Sequence, residues 1–81
     1  MNMINELDRV VLIDDFPHEG LKAGDVGTVV LVHQGGKGFE VEFVALNGET
    51  IAVITAHANQ LRSAKSREIA RVRAVELPLA A

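Results

Sequence analysis

Apolar side chains in this chain come in short runs rich in valine and isoleucine, separated by clusters of glycine, asparagine and aspartate. That punctuation predicts short β-strands joined by turns, and no long helical stripe appears before the last twenty residues. The first run, residues 9–13, is apolar on both alternating faces, as in a strand covered on both sides or bending between two sheets. A second run, residues 26–33, contains Gly27, which predicts a bulge or the close approach of another backbone. Between them, residues 16–24 hold Pro17, Gly20 and Gly24 and read as a long structured loop.

The most specific local signal is Asn47-Gly48 between two β-patterned runs, which predicts a two-residue type I′ hairpin turn. Setting Leu46 opposite Glu49 pairs Val44 with Ile51, Phe43 with Ala52, Val41 with Ile54 and Phe39 with Ala56. One face then carries Phe39, Val41, Phe43, Ala52 and Ile54, the expected core. The other carries Glu40, Glu42, Val44, Ile51 and Val53, so Val44, Ile51 and Val53 form a small apolar patch whose cover is unspecified. Five strands are expected near residues 7–14, 26–33, 38–45, 50–56 and 60–63. The three glycines of residues 34–38 read as a hairpin connection, because a phosphate-binding loop leads into a helix and here a strand follows.

Residues 63–77 are ambiguous. As a helix, Leu61, Ala64, Ile69, Val72 and Val75 approximate one stripe, with Ser63 or Ser66 as N-cap. As a strand, Ala70, Val72 and Ala74 alternate with Ile69, Arg71, Arg73 and Val75. A helical or partly ordered tail is the preferred reading, ended by Pro78.

Charge divides the chain at the same place. Residues 1–61 hold three basic side chains against nine acidic ones, a balance of −6, whereas residues 62–81 hold five against two, a balance of +3. An acidic body with a basic tail favours docking of the tail on the same chain, on another copy or on an acidic partner. At 81 residues there is one domain and a small core, which oligomerisation often supports. The expected division is a barrel domain over 1–62 and a basic tail over 63–81. A homodimer is expected through the tail, with Ile69, Val72 and Val75 in apolar contact and Arg71 and Arg73 setting orientation.

The chain has no cysteine, which excludes thiol catalysis, disulfides and thiolate metal sites. His18, His33 and His57 lack ligand spacing, so no metal or cofactor is expected. Ser63 and Ser66 are the only serines and form no triad pattern, so no catalytic residue is assigned and the protein is read as a non-enzyme. Asp14, Asp15, Phe16, His18 and Glu19 cluster in the long loop and are the expected partner-binding residues of the body, alongside the patch and the tail. An acidic body without Trp or Tyr makes nucleic-acid binding an unfavoured reading. No apolar run spans a bilayer and no basic-then-apolar leader opens the chain, so a cytoplasmic location away from membranes is expected.

Leu7-Asp8-Arg9-Val10-Val11-Leu12, residues 20–30, Phe39-Glu40-Val41-Glu42-Phe43, Asn47-Gly48-Glu49-Thr50 and Gln60-Leu61-Arg62 together resemble a small bacterial family known as domain of unknown function 4926. The resemblance covers residues 7–62. It implies an all-β, SH3-like, partly open barrel of five strands, and its Gly-Asp-Val-Gly-Thr-Val core is similar to KOW modules and to the nitrile hydratase β-subunit barrel. It implies no activity. The expected function is therefore a non-catalytic protein-interaction module, in its most specific form antitoxin-like or immunity-like. The alternatives are a nucleic-acid-associated KOW-like domain or an accessory subunit resembling the nitrile hydratase barrel.

Overall fold

The computed structural model describes residues 3–75. Five antiparallel strands form one curled, partly open sheet: β1 (Arg9–Leu12), β2 (Val26–His33), β3 (Gly38–Val44), β4 (Thr50–His57) and β5 (Leu61–Ser63). Their spatial order is β4-β3-β2-β1-β5, a meander whose last short strand returns beside the first. The all-β expectation and its five strands hold.

β2 makes the sheet curl. Its first residues pair with β1, Val10 opposite Gly27, and its remainder pairs with β3, with a bulge at Val30 where the register slips between Val29 and Leu31. The bulge falls three residues beyond Gly27. Gly27 answers to side-chain packing instead, since a Cβ there would lie 2.6 Å from Val41 Cγ1 and 2.7 Å from Phe43 Cε2. The core beneath contains Val10, Leu12, Leu21, Val29, Phe39, Val41, Phe43, Ile54, Ala56 and Leu61. Every β3 and β4 core residue expected from the alternating pattern is there except Ala52, which is half-buried against it.

The β3–β4 turn differs from the two-residue form. Gly48 N–H bonds Ala45 O at 2.9 Å and Ala45 N–H bonds Glu49 O at 2.8 Å, closing a three-residue loop of Leu46, Asn47 and Gly48. Gly48 alone of the three has positive φ, +90°, whereas a type I′ turn needs it at both central residues. Val44 consequently pairs with Thr50, and Ile51 is an extra residue before Phe43 meets Ala52. The longer loop and the bulge offset each other, so the expected pairs from Phe43 onward are the observed ones. Ile51 packs against the core and leaves the apolar patch, while Val44 and Val53 remain exposed. The positive-φ pair of a type I′ turn occurs elsewhere, at Gln34 and Gly35, with Gly36 N–H on His33 O at 3.0 Å.

No helix follows β5 among the described residues, so of the expected helical or partly ordered tail the helical form is corrected. A turn lets Glu68 N–H reach Lys65 O at 3.2 Å, and Arg62 grips the Glu68 carboxylate with two nitrogens. From there to Val75 the chain has no regular secondary structure. A helix would need an apolar surface to cover its stripe, and Ile69 and Val72 are instead 97% and 81% exposed. The residues of the expected tail beyond Val75 lie outside the described part.

Candidate functional site

The long loop between β1 and β2 is a small folded unit. Phe16 and Leu21 exchange backbone hydrogen bonds of 2.9 and 3.0 Å around the 3-10 turn Pro17–Glu19. Asp15 Oδ1 accepts the Ala23 N–H at 2.8 Å, tying the two arms together. At the loop's end Asp25 Oδ2 accepts the Lys22 N–H at 2.8 Å, while its backbone oxygen accepts the Leu12 N–H at 2.9 Å. The Asp25 carboxylate is thereby fixed at the edge of the barrel, beside the carbonyls of Gly20 and Ala23, which also accept from the tail.

Two arginines of the same chain occupy this acceptor cluster. Arg73 donates from Nε to Asp25 Oδ1 at 2.8 Å, from one Nη to Asp25 Oδ2, and from that same nitrogen to Gly20 O at 2.9 Å. Arg71 donates to Ala23 O at 2.7 Å and to Asp25 Oδ1 at 3.0 Å. Its guanidinium lies over Gly24, whose φ of +94° suits glycine and where a Cβ would come within 3.2 Å of Arg71 Cζ. Side-chain exposure falls to 12% at Asp25 and 21% at Arg73. Burial disfavours ionisation of the Asp25 carboxyl, but the hydrogen bonds from Arg73, the Lys22 N–H and Arg71 outweigh it and bring its pKa from 3.8 down to about 2. The site is therefore a carboxylate with two backbone carbonyls, shaped to hold planar cations from an extended peptide.

Of the expected loop residues, Asp15 and Phe16 build the unit, while Asp14, His18 and Glu19 stand exposed around it. Arg71 and Arg73 come together at Asp25, and Val75 is half-buried beyond them. In this intramolecular contact the arginines make the attachment, and Ile69 and Val72 are exposed. Val44 and Val53 lie on β3 and β4 and do not join the loop. Asp25 itself was absent from the sequence-based site. Its signal was the charge division of the chain, together with a Gly-Asp pair opening a strand.

An open groove of about 980 Å³ is lined by Ile4, Val32, Phe39 and Leu61 on its apolar side, with Arg62 and Lys65 among its polar lining. Ser63, Lys65 and Glu6 line it, but no hydrogen bond links the Ser63 hydroxyl to either among the described residues, and no group of three or more potential metal ligands occurs among them. No helix among them is long and apolar enough to cross a membrane.

No curated protein and no solved structure matches the chain. Its relationship is carried by the barrel alone: from the segment before β1 to the end of β5, residues 6–63 match the family model described as a domain of unknown function, and the chain belongs to that family, DUF4926.

Proposed function

We propose that this protein is a non-catalytic protein-interaction module whose Asp25 site grips an arginine-bearing, extended segment of a partner. The observation that carries the reading is the engagement of Arg71 and Arg73 by Asp25, Gly20 O and Ala23 O. The acceptors all lie within the family segment and the arginines lie beyond it, so the receptor half of the contact belongs to the barrel and the ligand half to the appended tail. Two partners satisfy this chemistry: a basic protein, as in an antitoxin-like or immunity-like pairing, and a second copy that exchanges its tail to form a homodimer. Complementary charge would speed either encounter and set its orientation. With Arg71 and Arg73 held at Asp25 and Arg62 at Glu68, the tail offers phosphates less free charge than its sequence suggests. A nucleic-acid-associated role therefore ranks below protein binding.

The test uses a full-length R71A/R73A chain, whose site is vacated, and a fluorescent peptide copying residues 66–75. The peptide is expected to bind this variant with an affinity that falls as salt rises, to bind the unaltered chain more weakly because its own tail competes, and to lose binding when Asp25→Asn is added. Equal anisotropy with and without Asp25→Asn would overturn the proposal.

A further inference from the structure

β4 is an edge strand of the sheet, packed closely only against β3. Thr50-Ile51-Ala52-Val53-Ile54-Thr55-Ala56-His57 contains no proline, lysine, arginine or carboxylate, the residues that usually keep an edge from pairing. The opposite edge, β5, has only three residues and carries Arg62.

The hydrogen-bond alternation shows which groups of β4 are open. Ala58 N–H bonds Lys37 O at 3.1 Å, so by the antiparallel alternation Ala56 and Ile54 bond toward β3, while Val53 and Thr55 direct their N–H and C=O outward. Neither makes another backbone hydrogen bond among the described residues, and His57 N–H, next in the series, is already taken by Gln60 Oε1 at 2.8 Å. Four adjacent backbone groups thus stand unpaired on a strand whose side chains at these two positions are exposed.

We infer that β4 pairs antiparallel with β4 of a second copy, about a two-fold axis at Ile54. That axis sets Val53 opposite Thr55 of the other copy and satisfies the outward groups of both residues on both strands. It also brings the Glu49 end of each strand to the His57 end of the other, an acceptor toward a donor at both ends. The acidic outer residues do not oppose it. Glu42 lies one strand inward, opposite Val53, so the two Glu42 side chains sit three strand spacings apart, about 14 Å, beyond the Debye length at physiological salt. Self-pairing extends the five-stranded sheet to ten strands across the dimer, and it is independent of the Asp25 site.

Sedimentation of the full-length protein over a concentration series, with far-UV circular dichroism to confirm folding, tests both the pairing and its register. The unaltered chain is expected to dimerise. V53K/T55K should be a folded monomer, because the axis sets the introduced lysines directly opposite each other, whereas V53K/T55E should dimerise at least as tightly as the parent because each lysine then meets a glutamate. R71A/R73A should leave the dimer intact. A parent that stays monomeric at the highest concentration reached would overturn the inference. So would equal dimerisation of the two Val53/Thr55 double variants, or a dimer abolished by R71A/R73A, which would assign association to tail exchange.

Discussion

The barrel and the tail of this protein are held by different forces. From β1 to β5 the chain is organised by burial: ten apolar residues meet in one core, and loop lengths and bulges adjust until they do. After β5 the described segment contributes nothing to that core. Beyond one backbone hydrogen bond, Ala64 N–H to Arg9 O at 3.0 Å, it is attached through the Arg62–Glu68 pair and the two arginines at Asp25. Burial is insensitive to salt and tolerates little change of volume, whereas partly exposed charge pairs weaken with salt and acid and can open without unfolding the rest. The body is thus a scaffold, and the tail is an attachment that conditions can release.

The largest expected effect lies in the core. Phe43→Ala removes a ring packed over Gly27 and should destabilise the fold by about 3–5 kcal/mol. In a domain this small that is enough to show as a largely lost cooperative melt.

An intermediate effect belongs to Asp25. Asp25→Asn should release the tail and also weaken the Lys22 N–H bond, lowering stability by about 1 kcal/mol because the group is partly solvated. The pH dependence has a defined sign. The Asp25 pKa is lowered on folding, so its contribution is complete above the ordinary carboxylate value of 3.8 and is lost as pH falls through about 2. Amide resonances of residues 71–75 should therefore shift toward those of the Asp25→Asn variant as pH falls through about 2, while the core methyl resonances of Val41 and Ile54 keep their folded positions. Core resonances moving at the same pH would break the contrast between the regions.

The smallest effect is at Ile69. Although apolar, it is almost wholly exposed, so Ile69→Asp should leave the thermal midpoint of the monomer unchanged.

The same contrast explains what could be seen in the sequence. Alternation in residues 39–43 and 52–56 identified the inward face because burial imposes period two on a strand, and only one register puts both apolar sets inside. The turn departs from the expected form because Asn-Gly permits a type I′ turn without requiring it, and a loop longer by one residue is hidden when a bulge restores the count. In the tail the weak helical stripe prevailed over the alternation of Arg71, Arg73 and Val75. That alternation corresponds to the side turned to the barrel, because an extended segment directs every second side chain the same way. Asp25 was one of nine acids in the body, and only the folded loop shows that its carboxylate is flanked by two available carbonyls. Long-range charge complementarity was legible as a balance of −6 and +3, but the address was not.

The clamp at Asp25 also has a mechanical meaning. Asp25 sits where the loop enters β2 and is bonded to the end of β1, with its backbone oxygen on Leu12 N–H and Gly24 N–H on Leu12 O, and β1 in turn pairs with β5. A pull applied beyond Val75 therefore loads the arginine contacts first, and the turn closed by the Arg62–Glu68 pair and the Ala64 N–H bond to Arg9 O is loaded only after those contacts part. The tail acts as a strain relief: ionic links that re-form in place yield first, and the hydrogen bonds that hold β5 to β1 are spared until they are gone.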